Sequence, residues 1–62
     1  MTAEEILKNS KRNKTYGGYE QLTFTDENNY SISVVKTNLG MSRKEIENIL
    51  IESVQERYGY DN

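Results

Sequence analysis

Apolar and polar residues alternate twice in the middle of the chain, and the short polar run between the two stretches dictates how they must pair. Leu22 and Phe24 alternate with Gln21, Thr23 and Thr25, while Ile32 and Val34 alternate with Ser31, Ser33 and Val35. A period of two is that of a half-buried strand. Asp26-Glu27-Asn28-Asn29 separates the two runs. Successive strand side chains point to opposite faces, so the apolar residues of both runs share a face only when the loop between them has an odd number of residues. A three-residue loop, Glu27-Asn28-Asn29, meets that condition and gives Asn a left-handed position that it tolerates. It sets Phe24 opposite Ile32, Leu22 opposite Val34 and Glu20 opposite Lys36, so packing and charge agree on one register. The second face then carries Tyr19, Gln21, Thr23, Thr25, Ser31, Ser33, Val35 and Thr37, which are rich in hydroxyls and carry no formal charge.

Helical signals flank this hairpin. Thr2 with Glu5 forms a capping box, and Ala3, Ile6, Leu7 and Ser10 recur at helical spacing, which predicts a short helix over residues 2–11. A helix of that length is marginal in water and needs packing to persist. Ser42-Arg43-Lys44-Glu45 is a second capping box, with Met41 placed to staple onto Ile46, and the helix it opens runs over 43–58 to Gly59. Strands are expected over 19–25 and 30–37, with Asn38-Leu39-Gly40 turning the chain into the second helix. The fold class is therefore α+β in the order α-β-β-α, a single small domain over residues 1–62, with the C-terminal amphipathic helix packed on one sheet face.

That second helix carries more apolar surface than a hairpin can cover. Ile46, Ile49, Leu50 and Ser53 form one facet, and Ile51, Val54 and Tyr58 form an adjoining one interrupted by Glu47. The second facet must meet the N-terminal helix, a second subunit or a foreign partner.

Composition narrows the function classes. The 62 residues include no Cys and no His, which removes disulfides, thiolate nucleophiles, imidazole bases and every metal site built on sulfur or imidazole. Carboxylates, Lys and Tyr remain, but Asp26 and Glu27 fall in an exposed turn and Glu45, Glu52 and Glu56 on the solvent side of a helix, where water leaves little reason for a perturbed pKa. An enzyme, a metal centre and a cofactor site are not expected. Asp26-Glu27-Asn28-Asn29 has neither the central Gly nor the distal Glu of a calcium loop, and Gly17-Gly18 matches no phosphate loop. Residues 1–14 hold no apolar run long enough for a signal peptide or a membrane span, so a cytoplasmic location with no membrane partner is expected.

Net charge is −2, the wrong sign for a protein held on nucleic acid by its overall field. Charge is nevertheless polarised along the chain. Lys8, Lys11, Arg12 and Lys14 oppose Glu4 and Glu5 in the first fourteen residues, and Tyr16 and Tyr19 follow directly. Basic groups beside aromatics can hold phosphates and stack on bases, which makes a nucleic-acid-binding regulator using Lys8 to Tyr19 the alternative reading. The leading expectation is a small acidic, non-catalytic protein-binding module that inhibits or adapts a larger partner by occluding its surface. Its contact residues are expected to be Ile51, Val54, Tyr58, Tyr16 and Tyr19. The chain has five Tyr in all, a residue favoured at interfaces because it buries area while keeping a polar tip. A two-stranded sheet also has open edges, so a homodimer sharing one sheet is a further expectation.

The helix, hairpin, helix order is similar in layout to toxins of the HicA type and to double-stranded-RNA-binding folds. HicA-type toxins depend on a catalytic His that is absent here, and neither fold's third strand is read in this sequence. No family is assigned.

Overall fold

The computed structural model describes residues 1–36 and 40–59. Helix α1 spans Ala3–Lys8, strands β1, β2 and β3 span Ser10–Lys14, Glu20–Thr25 and Ser31–Val35, and helix α2 spans Arg43–Tyr58. The strands form one antiparallel meander in the order β1-β2-β3. Thr37, the last residue expected in the second strand, and Asn38 and Leu39 of the expected turn lie outside the described residues.

The fold is α+β, but the sheet has three strands and the element order is α-β-β-β-α, which corrects the two-stranded α-β-β-α layout. The first helix stops at Lys8 instead of continuing to residue 11. Its last-turn carbonyls are taken by side chains just beyond it: Asn9 Nδ2 donates to Glu5 O at 2.9 Å and Ser10 Oγ donates to Ile6 O. Such partners satisfy orphan helix ends and allow the chain to leave. Asn9 then offers its own carbonyl to the Thr25 N–H at 3.3 Å, which starts the β1 ladder. Nothing in Ser-Lys-Arg-Asn-Lys alternates in hydropathy, so a strand there has no periodic signal in the sequence.

The middle hairpin adopts the register that alternation requires. Phe24 stands opposite Ile32 and Leu22 opposite Val34, and the Lys36 N–H donates to Glu20 O at 2.7 Å. Asp26 and Tyr30 close a loop of Glu27, Asn28 and Asn29, with the Asp26 N–H donating to Tyr30 O at 3.0 Å. Asn29 has φ 64 and is the sole non-glycine residue with positive φ among those described. An Asn29→Gly variant is expected to keep parental stability within a few tenths of a kcal/mol, whereas Asn29→Val should lose about 1–2 kcal/mol in urea denaturation, because a branched side chain crowds the backbone in that conformation.

Both helices lie on the same side of the sheet as Leu22 and Phe24. Ile6, Leu22, Phe24, Ile46, Leu50 and Val54 form the buried core, with Met1, Leu7, Ile32, Val34, Met41 and Ile51 packed against it. Both capping boxes are present, Thr2 with Glu5 and Ser42 with Glu45. Helix α1 covers part of the apolar surface of α2 that exceeds the hairpin, while Ile49 and Tyr58 keep exposed sides. Val54 is 0% exposed in the same cluster as Ile6, so one of the two adjoining facets of α2 faces α1 while the other faces the sheet.

Candidate functional site

Two exposed tyrosines and two lysines gather at the β1–β2 end of the sheet. Tyr16-Gly17-Gly18 forms a second three-residue loop, closed by Thr15 N–H to Tyr19 O at 2.8 Å and Gly18 N–H to Thr15 O at 2.9 Å. Thr15 Oγ1 also accepts the Tyr19 N–H at 3.2 Å. Gly18 takes φ 87, the left-handed position that such a loop demands at its third residue. The tip is thus held by main-chain bonds, and it presents Tyr16 at 110% relative exposure with Tyr19 at 49%.

A row of charge lies behind the tip. Lys14 stands opposite Glu20 across β1 and β2, and Lys36 follows Glu20 on the other side through its main-chain bond. Lys14, Gly18, Tyr19, Glu20 and Lys36 line an open hollow of about 200 Å³. Arg43, in the first turn of α2, reaches Glu20 Oε1 at 3.3 Å. The second oxygen of Glu20 is buried without a hydrogen-bond partner among the described residues. Glu20 is paired with Arg43, and with Lys14 and Lys36 in its lining the hollow carries an excess of positive charge beside exposed aromatic rings. Lys36 and Arg43 were not among the residues expected to carry function. The hairpin register already sets Lys36 opposite Glu20; a third strand adds Lys14 to that row.

The other expected residues divide between the core and the surface. Val54 is fully buried and cannot reach a partner in the folded chain. Ile51 is half-buried against the core. The Tyr58 ring packs edge-on to Phe24 with centroids 5.9 Å apart, and its hydroxyl donates to Asp26 Oδ2 at 2.6 Å. Of the facet Ile51, Val54, Tyr58, Val54 is fully buried, Ile51 is half-buried and Tyr58 keeps an exposed side. In the basic segment, Arg12 is paired with Glu47 of α2, while Lys8, Lys11 and Lys14 remain exposed.

The contact made by Tyr58 ties the end of α2 to the β2–β3 loop. Asp26 Oδ1 also accepts the N–H groups of Asn28 at 2.9 Å and Tyr30 at 2.8 Å, and Arg57 sits 4.1 Å over the Tyr30 ring. The Tyr58 hydroxyl, followed by the Tyr30 N–H, holds the Asp26 carboxyl below its ordinary 3.8. The same bond to Asp26, followed by desolvation, raises the Tyr58 phenol above its ordinary 10.0. Asp26 therefore stabilises the fold fully above its ordinary value, and that contribution is lost as pH falls below it. The contribution of Tyr58 is held below its own ordinary value and lost as pH rises past it. Thermal melts of the parent and a Tyr58→Phe variant should differ by a constant margin between about pH 5 and pH 9, with the margin shrinking on either side.

Among the described residues no group of three or more His, Cys, Asp or Glu is placed to hold a metal ion, and no helix is long and apolar enough to cross a membrane. Compared with models of protein families, with curated proteins and with solved structures, the chain matches none.

Proposed function

We propose that the chain is a small non-catalytic protein-binding module that inhibits or adapts a larger protein by occluding its surface, and that it docks through the β1–β2 tip. The observation that carries this reading is Tyr16, fully exposed on a loop held by its own hydrogen bonds. A rigid aromatic loses little entropy on binding and supplies large contact area, which is why Tyr dominates interface hot spots. Lys14 and Lys36 beside it favour a partner surface that is acidic around an apolar notch. A cysteine-free chain suits a reducing compartment, so the module is proposed to act in the cytoplasm.

The test places a photo-crosslinking amino acid at position 17 in cells and identifies the captured protein, then measures its binding to the parent and to a Tyr16→Ala, Tyr19→Ala double variant. Loss of two hot-spot aromatics should weaken binding at least tenfold. Equal affinity of parent and variant would overturn the docking surface.

A second reading rests on the exposure of Lys11 and Lys14 next to the same tyrosines. A nucleic acid could be held by these lysines with bases stacked on Tyr16 and Tyr19. Binding of labelled double-stranded RNA or DNA that falls steeply between roughly 50 and 200 mM salt would favour it, and no binding at low salt would sink it.

A further inference from the structure

The sheet ends in two edges of opposite character. Strand β1 closes one side with Lys11, Arg12 and Lys14 in five residues, and charge on an edge strand discourages pairing with another chain. Strand β3 closes the other with Ser31, Ile32, Ser33, Val34 and Val35, which carry neither charge nor Pro. The N–H of Asp26 donates to Tyr30 O and that of Lys36 to Glu20 O, so Tyr30, Ile32, Val34 and Lys36 direct their main-chain groups at β2. By the alternation of an antiparallel ladder, the N–H and C=O groups of Ser31, Ser33 and Val35 point outward. Among the described residues β3 has no strand neighbour other than β2.

We propose that this edge is closed by β3 of a second copy of the chain, paired antiparallel about a twofold axis through Ser33. The strand is self-complementary in that register. Ser31 meets the partner copy's Val35 and Ser33 meets itself, all at positions whose main-chain groups face outward, which yields about six new hydrogen bonds. Ile32 meets the partner copy's Val34 at the intervening, closer pairs, on the helix-bearing side where both already touch the core. No residue from 31 to 35 brings a charge into the contact.

Helix α2 agrees with this placement. It packs on both β2 and β3, and with strands spaced about 4.8 Å apart its twofold mate would lie about 10 Å away, within the range of direct helix packing. Glu47 marks the side of α2 that faces β1, through Arg12. At 100° per residue Ile49 falls on the opposite shoulder, above the β3 edge, and it is 40% exposed. The dimer gives this otherwise unexplained apolar side chain a partner near the axis. Glu45 and Glu56 flank Ile49 along that shoulder and limit the contact, so the association is of micromolar strength. This surface is separate from the β1–β2 tip, and its failure would leave the proposed docking function untouched.

Sedimentation of the full chain from about 1 to 500 µM should show a monomer–dimer equilibrium with a midpoint in the micromolar range. Amide hydrogen exchange at Ser31, Ser33 and Val35 should slow as concentration rises. A Ser33→Lys variant, which sets two like charges on the axis at an exposed position, should weaken association at least tenfold while its circular dichroism stays parental; Lys11→Ser on the other edge should leave association unchanged. If Ser33→Lys does not fold, the exchange measurement on the parent decides the matter. A monomer throughout, which would leave the edge to a foreign strand, overturns the proposal, as does a dimer in which those three amides exchange independently of concentration.

Discussion

A Val54→Asp variant will be unfolded at 25 °C, with the far-UV circular dichroism of a disordered chain. The sequence by itself leaves Val54 on a surplus helix facet to be covered by the N-terminal helix or by a partner, and if a partner covered it the substitution would alter binding and spare the fold. In the structure Val54 is 0% exposed and shares a core with Ile6 and Leu50. A carboxyl group there loses the valine contacts and enters an apolar site that offers it no partner, at a cost of several kcal/mol. A single core in a domain this small supplies about 3–5 kcal/mol in all, so the loss matches or exceeds the reserve. Ile51→Glu, one turn away and half-buried, should lower the melting temperature and leave the protein folded. A Val54→Asp variant with parental helicity and a cooperative melt would return this facet to the surface.

Phe24→Ala is expected to abolish the cooperative thermal transition as well. Phe24 is the largest side chain in the core and 1% exposed, and it meets α2 through the Tyr58 ring. Removing a buried Phe costs about 3–5 kcal/mol through lost transfer free energy and the cavity left behind. The neighbours most able to close that cavity are Ile32, across the strand pair, and Tyr58, whose hydroxyl is fixed on Asp26. The fixed ring resists collapse and keeps the cost at the upper end. A melting midpoint within a few degrees of the parent would show that the site repacks.

These two positions mark where sequence was sufficient and where it was not. The pairing of Phe24 with Ile32 follows from alternation and the parity of one loop, because a one-residue slip would turn every apolar side chain to the wrong face. Both capped helix starts are equally local, since each depends on a side chain three residues from its partner. Strand β1 is the contrary case. It is held by its ladder to β2, and on the core side it presents Ser10, opposite Phe24, and Arg12, opposite Leu22 and paired with Glu47. Such a strand follows tertiary pairing alone, and its cations look the same as those that end a helix. The three covers left open for the facet of Val54, namely α1, a second subunit or a foreign partner, have the same source. A wide apolar arc on α2 is visible in the sequence, whereas its cover is a six-residue helix whose docking is a long-range event. The tip was partly legible: Tyr16 and Tyr19 stood out by type and Lys36 by its place opposite Glu20, but Lys14 joins them only once β1 is a strand.

The meeting of Met1 with the last turn of α2 has a consequence for how the molecule opens. Gln55 Nε2 donates to Met1 O at 3.2 Å and the Met1 amino group to Gly59 O at 3.3 Å, so the first residue rests on the last turn of α2. Both hairpins form from neighbours in the chain, but this contact must close nearly the whole chain into a loop, and such distant contacts are the slow ones to gain in folding. Helix α1 and the last turn of α2 are therefore expected to open together, and departure of α1 would uncover Ile6 and Val54 and wet the core from that side.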